Sequence, residues 1–199
     1  MEQNLSSIKY FTQPELKRLF NCIEKDKTYP YWLRDLTMFN LGYLCGLRVS
    51  EVRNLKLDYY NQQRGEIFCP RVKKSTSNVI RLDQPRIKLL NKYLREYGIK
   101  DGENLLFMSK RKTAISARQI DRLMKDYAKS AKISTDKSHW HSLKHSIAVH
   151  LAESGADVKE VQDYLGHKDI KNTMVYFQFT TKQKDAFYQK IGKGSQVVG

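Results

Sequence analysis

The chain has 199 residues, of which 40% are hydrophobic and 29% are charged, and its formal net charge at pH 7 is +15. This length predicts one globular unit, and the ordinary composition excludes a disordered basic tail as the source of the charge. A folded basic domain favours nucleic acid as a partner over a membrane, because no helix is basic on one face and bulky-apolar on the other. A merely soluble basic protein is the alternative.

Cysteines and apolar stretches indicate the compartment. Cys22, Cys45 and Cys69 are odd in number, far apart and without a CxxC pair, which indicates reduced thiols rather than a disulfide framework or a zinc knuckle. The first residues lack the apolar core of a signal peptide, and no stretch approaches the ~18 apolar residues of a membrane span. We therefore expect a cytoplasmic protein without a membrane partner.

The first part of the chain predicts three helices. Thr12 and Glu15 form a capping-box pattern that predicts the start of the first helix. Residues 32–45 are apolar on most sides and predict the central buried helix, which Gly46 ends. Residues 47–59 predict a short helix with a polar start.

The middle of the chain changes to a strand-like period. Residues 66–69 and 78–82 predict two strands around the polar segment 73–77, and so a small antiparallel hairpin with a basic tip. Pro85 predicts the start of another helix, and a further helix is expected over residues 116–131.

The last third is helical, with breaks at Gly155 and Gly166, and it ends in a polar tail. The pattern as a whole predicts a mainly helical α+β domain with a small antiparallel sheet near its N-terminal third.

Several common catalytic motifs are absent or incomplete. HSLKH at residues 141–145 has two histidines at the spacing of a zinc protease, but Ser142 stands where that motif requires glutamate, so we expect no metal. The chain has no GxxxxGK[ST] or GxGxxG phosphate cradle and no GxSxG nucleophile motif. We therefore expect neither ATP nor any other cofactor.

Three segments together resemble a known family. They are GLRVSEVRNLKL (46–57), HSLKH (141–145) and LGHKDIKNTMVY (165–176). Their order, the wide gap after the first and the nine-residue step from His167 to Tyr176 are similar to the signature boxes of the tyrosine recombinases, the phage-integrase family. The resemblance covers about residues 8–180 and implies the tyrosine recombinase catalytic-domain fold.

The resemblance implies a DNA strand transferase that works without metal or ATP. Tyr176 would attack a phosphodiester to give a 3′-phosphotyrosyl bond and a free 5′-hydroxyl, and this covalent bond retains the energy needed for rejoining. Charge that spreads over the phosphate oxygens needs fixed cationic donors, a role that falls to Arg48, His141, Lys144 and His167.

Two further residues belong to this implied site. Glu51 would orient Arg48, and His145 would support the helix behind the site. Lys144 departs from the family pattern, which usually has arginine there, so a point charge replaces a planar two-pronged donor. Slower cleavage is therefore a hypothesis.

A hairpin lysine would protonate the leaving oxygen. Counting back from the second strand favours Lys73. Lys74 is its near rival, because a shift of one residue in the register would exchange the two. The residues expected to contact the DNA backbone are Arg71, Lys74, Lys110, Arg111 and Lys112.

The domain boundaries and assembly follow from the same resemblance. We expect a catalytic domain over residues 1–180 and a C-terminal tail over residues 181–199 that docks on its own or a neighbouring protomer. The partners would be double-stranded recombination sites bound by a homo-tetramer. The chain resembles either a compact fimbrial phase-variation recombinase or a catalytic fragment of a longer integrase.

Two other functions stay open at this point. One is a DNA-binding relative with weak or no catalysis, which the lysine at position 144 makes plausible. The other is a nicking and closing enzyme similar to a type IB topoisomerase.

Overall fold

The computed structural model describes residues 8–72, 75–99 and 105–177, which form eight α-helices and one small sheet. The helices are α1 (Gln13–Lys25), α2 (Trp32–Leu44), α3 (Val49–Arg53), α4 (Gln84–Glu96), α5 (Ala117–Ser130), α6 (His141–Glu153), α7 (Val158–Leu165) and α8 (Lys171–Phe177). The strands are β1 (Tyr60–Asn61), β2 (Glu66–Cys69) and β3 (Asn78–Arg81). The predicted mainly helical α+β fold is confirmed. Within the described ranges, no helix has the length and apolar character of a membrane span.

The start of α1 is fixed by its own sequence and joined to α6. The Thr12 backbone N–H donates to the Glu15 carboxylate at 2.7 Å, and the Glu15 N–H donates to Thr12 Oγ1 at 3.4 Å, which completes the predicted capping box. Phe11 is fully buried, and its N–H donates to Ser146 Oγ at 2.8 Å. This bond holds the beginning of α1 against the helix that carries the second motif.

α2 is the central helix, packed against α1, α4 and α6. Its Phe39 meets Tyr127 and Trp140 edge-on, with ring centroids 5.8 Å and 5.2 Å away. Aromatic side chains of this kind remove large apolar areas from water, so they anchor the core. The helix ends before Gly46, whose φ of 56° lies in the left-handed region that favours glycine. This turn places Arg48 at the start of α3.

The segment after α2 differs from its prediction. Instead of one helix over residues 47–59, the chain forms α3 and then a 3₁₀ turn, Leu57–Tyr59. Leu55 is fully buried and its carbonyl accepts from the Leu106 N–H at 2.7 Å, so the backbone turns into the core instead of continuing the helix.

The sheet has the order β1-β2-β3, with both pairs antiparallel. The two predicted strands are β2 and β3, and Ile67 pairs with Ile80 on the buried face. The sequence analysis missed β1, because two residues are too few to show a strand period.

The hairpin between β2 and β3 is fastened to the turn before α8. The Thr76 N–H donates to the Gly166 carbonyl at 2.8 Å, and Ser75 pairs with His167. Gly166 has φ 67°, and a Cβ there would overlap the Thr76 carbonyl oxygen, so only glycine fits without displacement. The third motif and the hairpin are thereby held side by side.

Candidate active site

One cavity of about 570 Å³ collects residues from all three sequence motifs. Arg48 enters it from the start of α3, His141 and Lys144 from α6, His167 from the turn before α8, and Tyr176 from α8. The other lining residues are Ile8, Ser75, His145, Asn172 and Val175. Five of the six predicted catalytic residues therefore face a common space.

Arg48 is held in place by Glu51. The Arg48 backbone N–H donates to Glu51 Oε2, and its guanidinium Nη1 donates to Oε1, both at 2.8 Å. Nη1 also donates to Ser75 Oγ at 3.2 Å. The Arg48 side chain keeps 28% of its surface exposed while Glu51 is buried, so the pair fixes the guanidinium at the cavity edge.

Glu51 is a buried anion at the base of the site. Burial alone would raise its pKa, but hydrogen bonds from Arg48 and the Val72 N–H, with the charge of Lys144, lower the pKa below its ordinary value. Glu51 therefore stays ionised at neutral pH and balances part of the positive charge around it.

The position of Arg71 corrects a prediction of the sequence analysis, which placed this residue against the DNA backbone. Its side chain is completely buried. Nη1 donates to the Gly46 carbonyl at 3.2 Å and to Glu51 at 3.4 Å, and Nη2 donates to the Cys45 carbonyl at 2.8 Å. A guanidinium enclosed by these acceptors does not reach DNA. It joins the end of α2, the start of α3 and the base of the hairpin.

Lys144 is buried at 1% exposure, and its Nζ has no hydrogen-bond partner among the described residues. Burial and the charges of Arg71 and Arg48 lower its pKa to about 7. An unpaired buried ammonium is costly, and an anion in the cavity would relieve that cost. The environment of Lys144 therefore suits a phosphate group.

The two histidines that were predicted as cationic donors, His141 and His167, have lowered pKa values in the free protein. Burial, followed by the charges of Lys144 and Arg48, lowers the pKa of each to about 4. Both rings are therefore neutral at pH 7. His167 Nδ1 is hydrogen-bonded to Thr173 Oγ1 at 2.9 Å, which leaves Nε2 for the cavity. As neutral rings they can donate an N–H but add no charge.

Tyr176 is buried at 4% exposure, with its hydroxyl 3.0 Å from His145 Nδ1. Burial raises the pKa of Tyr176 to about 12. Burial and the neighbouring His141 lower the pKa of His145 to about 3. Both partners are therefore neutral in the free protein. The supporting role that the sequence analysis gave His145 omitted this contact with the predicted nucleophile.

The remaining predicted residues lie elsewhere. Lys73 and Lys74 fall outside the described residues, so their assignment rests on the sequence. Lys110, Arg111 and Lys112 are exposed on a loop closed by the pairing of Met108 with Ala114. These three side chains do not line the cavity, and their role as DNA contacts stays a prediction.

Sequence reasoning missed two polar residues of the cavity, Ser75 and Asn172. Ser75 lies in the polar hairpin segment and Asn172 within the third motif, but neither position had a signal of its own. No group of three or more His, Cys, Asp or Glu suited to a metal ion occurs in the part of the chain that the structure describes.

Comparison with known proteins identifies the relatives of this chain. The model of the phage integrase family matches residues 9–183. Tyrosine recombinase XerA of Pyrococcus furiosus is 33% identical over 194 residues, which cover 96% of this chain and 64% of the relative. Tyrosine recombinase XerD of Pseudomonas aeruginosa is 34% identical over 174 residues, which cover 84% and 56%. The chain spans roughly half to two thirds of the length of these curated relatives.

Solved structures show the same fold. The crystal structure of XerA recombinase matches with a TM-score of 0.74 and 26% identity, covering 91% of this chain and 62% of that chain. XerH recombinase bound to its palindromic difH substrate matches with a TM-score of 0.77, covering 92% and 53%. At 20% identity, the second likeness is evidence of fold alone. Because the family model covers most of the sequence, the chain belongs to the phage integrase family and carries the catalytic domain of a tyrosine recombinase.

Proposed function

We propose that this chain is a site-specific DNA recombinase that cuts and rejoins strands through a 3′-phosphotyrosyl bond on Tyr176. The observation that carries the proposal is the meeting of a buried tyrosine hydroxyl with Arg48, Lys144, His141 and His167 at one cavity. Three separate motifs supply these residues, and together they match what phosphoryl transfer needs: a nucleophile and several donors for the phosphate oxygens.

The reaction would proceed in two balanced steps. In cleavage, the Tyr176 hydroxyl loses its proton as its oxygen bonds to phosphorus, while the bond to the 5′ oxygen breaks and that oxygen takes up a proton. In rejoining, a 5′-hydroxyl loses its proton as it attacks phosphorus, the bond to the tyrosine oxygen breaks, and the tyrosine regains its proton. The bond energy is retained between the steps, so no nucleotide is consumed. By family resemblance Lys73 is the proposed acid for the leaving oxygen, with Lys74 as its near rival.

The site would gain positive charge when DNA binds. His141 and His167 are neutral in the free protein, and Lys144 is half protonated near pH 7. A nearby opposite charge raises the pKa of such groups by about 1–3 units at separations of 4–6 Å. A phosphate in the cavity would therefore favour the cationic form of Lys144 first, because its pKa already lies near neutrality.

The proposed substrate is duplex DNA with two recombination sites, bound by four protomers. Two structural neighbours that share the fold were solved with DNA, XerH with its difH substrate and the Tn1549 transposon integrase with circular intermediate DNA. The basic net charge of +15 suits this substrate. Such a substrate would place the protein in the cytoplasm. Residues 181–199 remain a proposed docking tail.

Lys144 favours one rival function. A partly neutral lysine in place of a permanently charged arginine holds phosphate less firmly, which would suit a DNA-binding relative with weak catalysis. The rival predicts binding without a covalent adduct, so adduct formation separates the two functions.

The test is covalent capture from a pool of nicked duplexes with randomised arms. We expect wild-type protein to yield adducts that survive denaturant, and Tyr176→Phe to yield none. Tyr60→Phe is the matched control, since Tyr60 is also buried but its hydroxyl donates to Asn91 away from the cavity. Absence of any wild-type adduct would refute the proposed recombinase activity. Adducts with plasmid relaxation but no strand exchange would instead favour a topoisomerase-like activity.

A further inference from the structure

We propose that His145 is the base that takes the proton from the Tyr176 hydroxyl as this oxygen attacks phosphorus. The inference rests on the proposed function and assigns a further catalytic residue to it. It follows from the contact between the two side chains and from the positions of the other histidines.

The hydroxyl of Tyr176 has little access to solvent, because only 4% of the residue is exposed. His145 Nδ1 lies 3.0 Å from the hydroxyl oxygen, within the range of a proton-transfer contact. Among the described residues, this nitrogen is the only hydrogen-bond partner of the hydroxyl. The proton that must leave during attack therefore has an acceptor already in place.

The other two cavity histidines are less well placed. His141 contacts the ring of His145 at a centroid distance of 4.3 Å, and it makes no hydrogen bond to Tyr176. The ring of His167 lies 6.5 Å from that of Tyr176, and its Nδ1 is occupied by Thr173. Geometry therefore separates His145 from both.

The proton balance is complete within the proposed reaction. His145 accepts at Nδ1 when its ring hydrogen is on Nε2. As the bond from the Tyr176 oxygen to phosphorus forms, the proton moves to Nδ1 and the bond to the 5′ oxygen breaks. A separate acid protonates that oxygen. In rejoining, that acid takes back its proton from the attacking 5′-hydroxyl, and the imidazolium returns its proton to the departing tyrosine oxygen.

The surroundings of His145 make this base dependent on substrate. The groups that face it are His139, His141 and Lys144 on its own side, and His167 and Tyr176 from the α8 side. Burial and these neighbours hold its pKa at about 3, while the pKa of Tyr176 is about 12, so the free protein keeps the proton on the tyrosine. A bound phosphate diester adds the opposite charge and strengthens the base.

The test is single-turnover cleavage of a suicide duplex recovered from the adduct pool, with wild type, His145→Asn and His141→Asn. Asparagine can accept the tyrosine hydrogen bond near the Nδ1 position but cannot hold the proton. We expect His145→Asn to slow cleavage about 10²- to 10⁴-fold. The wild-type rate should rise with pH to a plateau, and His141→Asn should keep this rising limb while His145→Asn loses it.

A duplex with a 5′-bridging sulfur separates the base from the acid, because a thiolate leaves without a proton. The defect of His145→Asn should persist on this substrate, whereas Lys73→Ala should be rescued. Any one of three results would overturn the inference. The sulfur substrate could rescue His145→Asn, His145→Asn could cleave the ordinary duplex within about threefold of the wild-type rate, or His141→Asn alone could lose the rising limb of the pH profile.

Folding and the proposed function are checked separately. Equal thermal midpoints and DNA affinities would show that His145→Asn is folded. If His145→Asn is not folded, the pH profiles of wild type and His141→Asn still test the inference, because it requires the rising limb in both. A wild type without adducts defeats the proposed function, whereas equal rates of wild type and His145→Asn defeat this inference alone.

Discussion

Replacing Lys144 with methionine should stabilise the free protein at neutral pH and abolish DNA cleavage. The two effects have one cause, the positive charge that this lysine carries into a buried site without a hydrogen-bond partner among the described residues. Methionine has a similar length and no charge, so it removes both the cost of burial and the attraction for phosphate.

The size of the effect follows from the pKa of Lys144, which burial and the charges of Arg71 and Arg48 lower from 10.5 to about 7. Between these values the unfolded chain binds more protons than the folded protein, so wild-type stability rises with pH across this window. At about 1.4 kcal/mol per pKa unit, the cost below pH 7 is at most about 5 kcal/mol. Lys144→Met also removes an attractive neighbour of Glu51, which offsets part of this cost. We therefore expect the free energy of unfolding of Lys144→Met to exceed that of wild type by about 1–4 kcal/mol.

The assay is urea unfolding of wild type and Lys144→Met at pH 6.5 and pH 10. The gain should be largest at pH 6.5 and nearly vanish at pH 10, where the wild-type lysine is neutral in the folded state. Lys125→Met is the control, because this side chain is 61% exposed and should change stability by less than about 0.5 kcal/mol at either pH. An equal gain at both values, or a loss at pH 6.5, would refute the buried-charge argument.

Three further substitutions test the site and its frame. Lys144→Arg should raise the single-turnover cleavage rate about tenfold, since a guanidinium donates hydrogen bonds to two phosphate oxygens. An unchanged rate would show that the lysine does not slow cleavage. Glu51→Gln should cost about 3 kcal/mol in urea unfolding at pH 7 because it leaves Arg71 uncompensated. That difference should shrink as pH falls through the lowered pKa of Glu51, where wild type loses the same charge. Gly166→Ala should lower the thermal midpoint about 5 °C more than Gly98→Ala, which has a similar φ but open space around the added Cβ.

Local signals predicted the helices well where the sequence itself fixes their ends. The capping box at Thr12 gave the start of α1, and Gly46 gave the end of α2, because both depend on neighbouring residues only. The helix predicted over residues 47–59 failed because Leu55 bonds to Leu106, a partner far along the chain. Contacts of this range leave no trace in a short window of sequence.

The same distinction applies to the candidate site. Motif spacing selected residues such as Tyr176 and His167 that the fold brings to one cavity. It could not show that Arg71, in a basic cluster, turns inward to satisfy buried carbonyls. Nor could it show that His145 meets the tyrosine hydroxyl, because that contact depends on how α6 packs against α8.

The charge state of the cavity links stability to function. The free protein holds Tyr176 and His145 as a neutral pair and keeps Lys144 only partly protonated, so the proposed nucleophile would not be activated without substrate. A phosphate would favour the cationic forms of Lys144 and His145 together, since a nearby negative charge raises the pKa of every basic group around it. An unpaired lysine therefore destabilises the free protein but would strengthen the proposed complex with DNA. Substitutions that stabilise the free protein at this site should therefore weaken catalysis, and the methionine variant at position 144 is their simplest case.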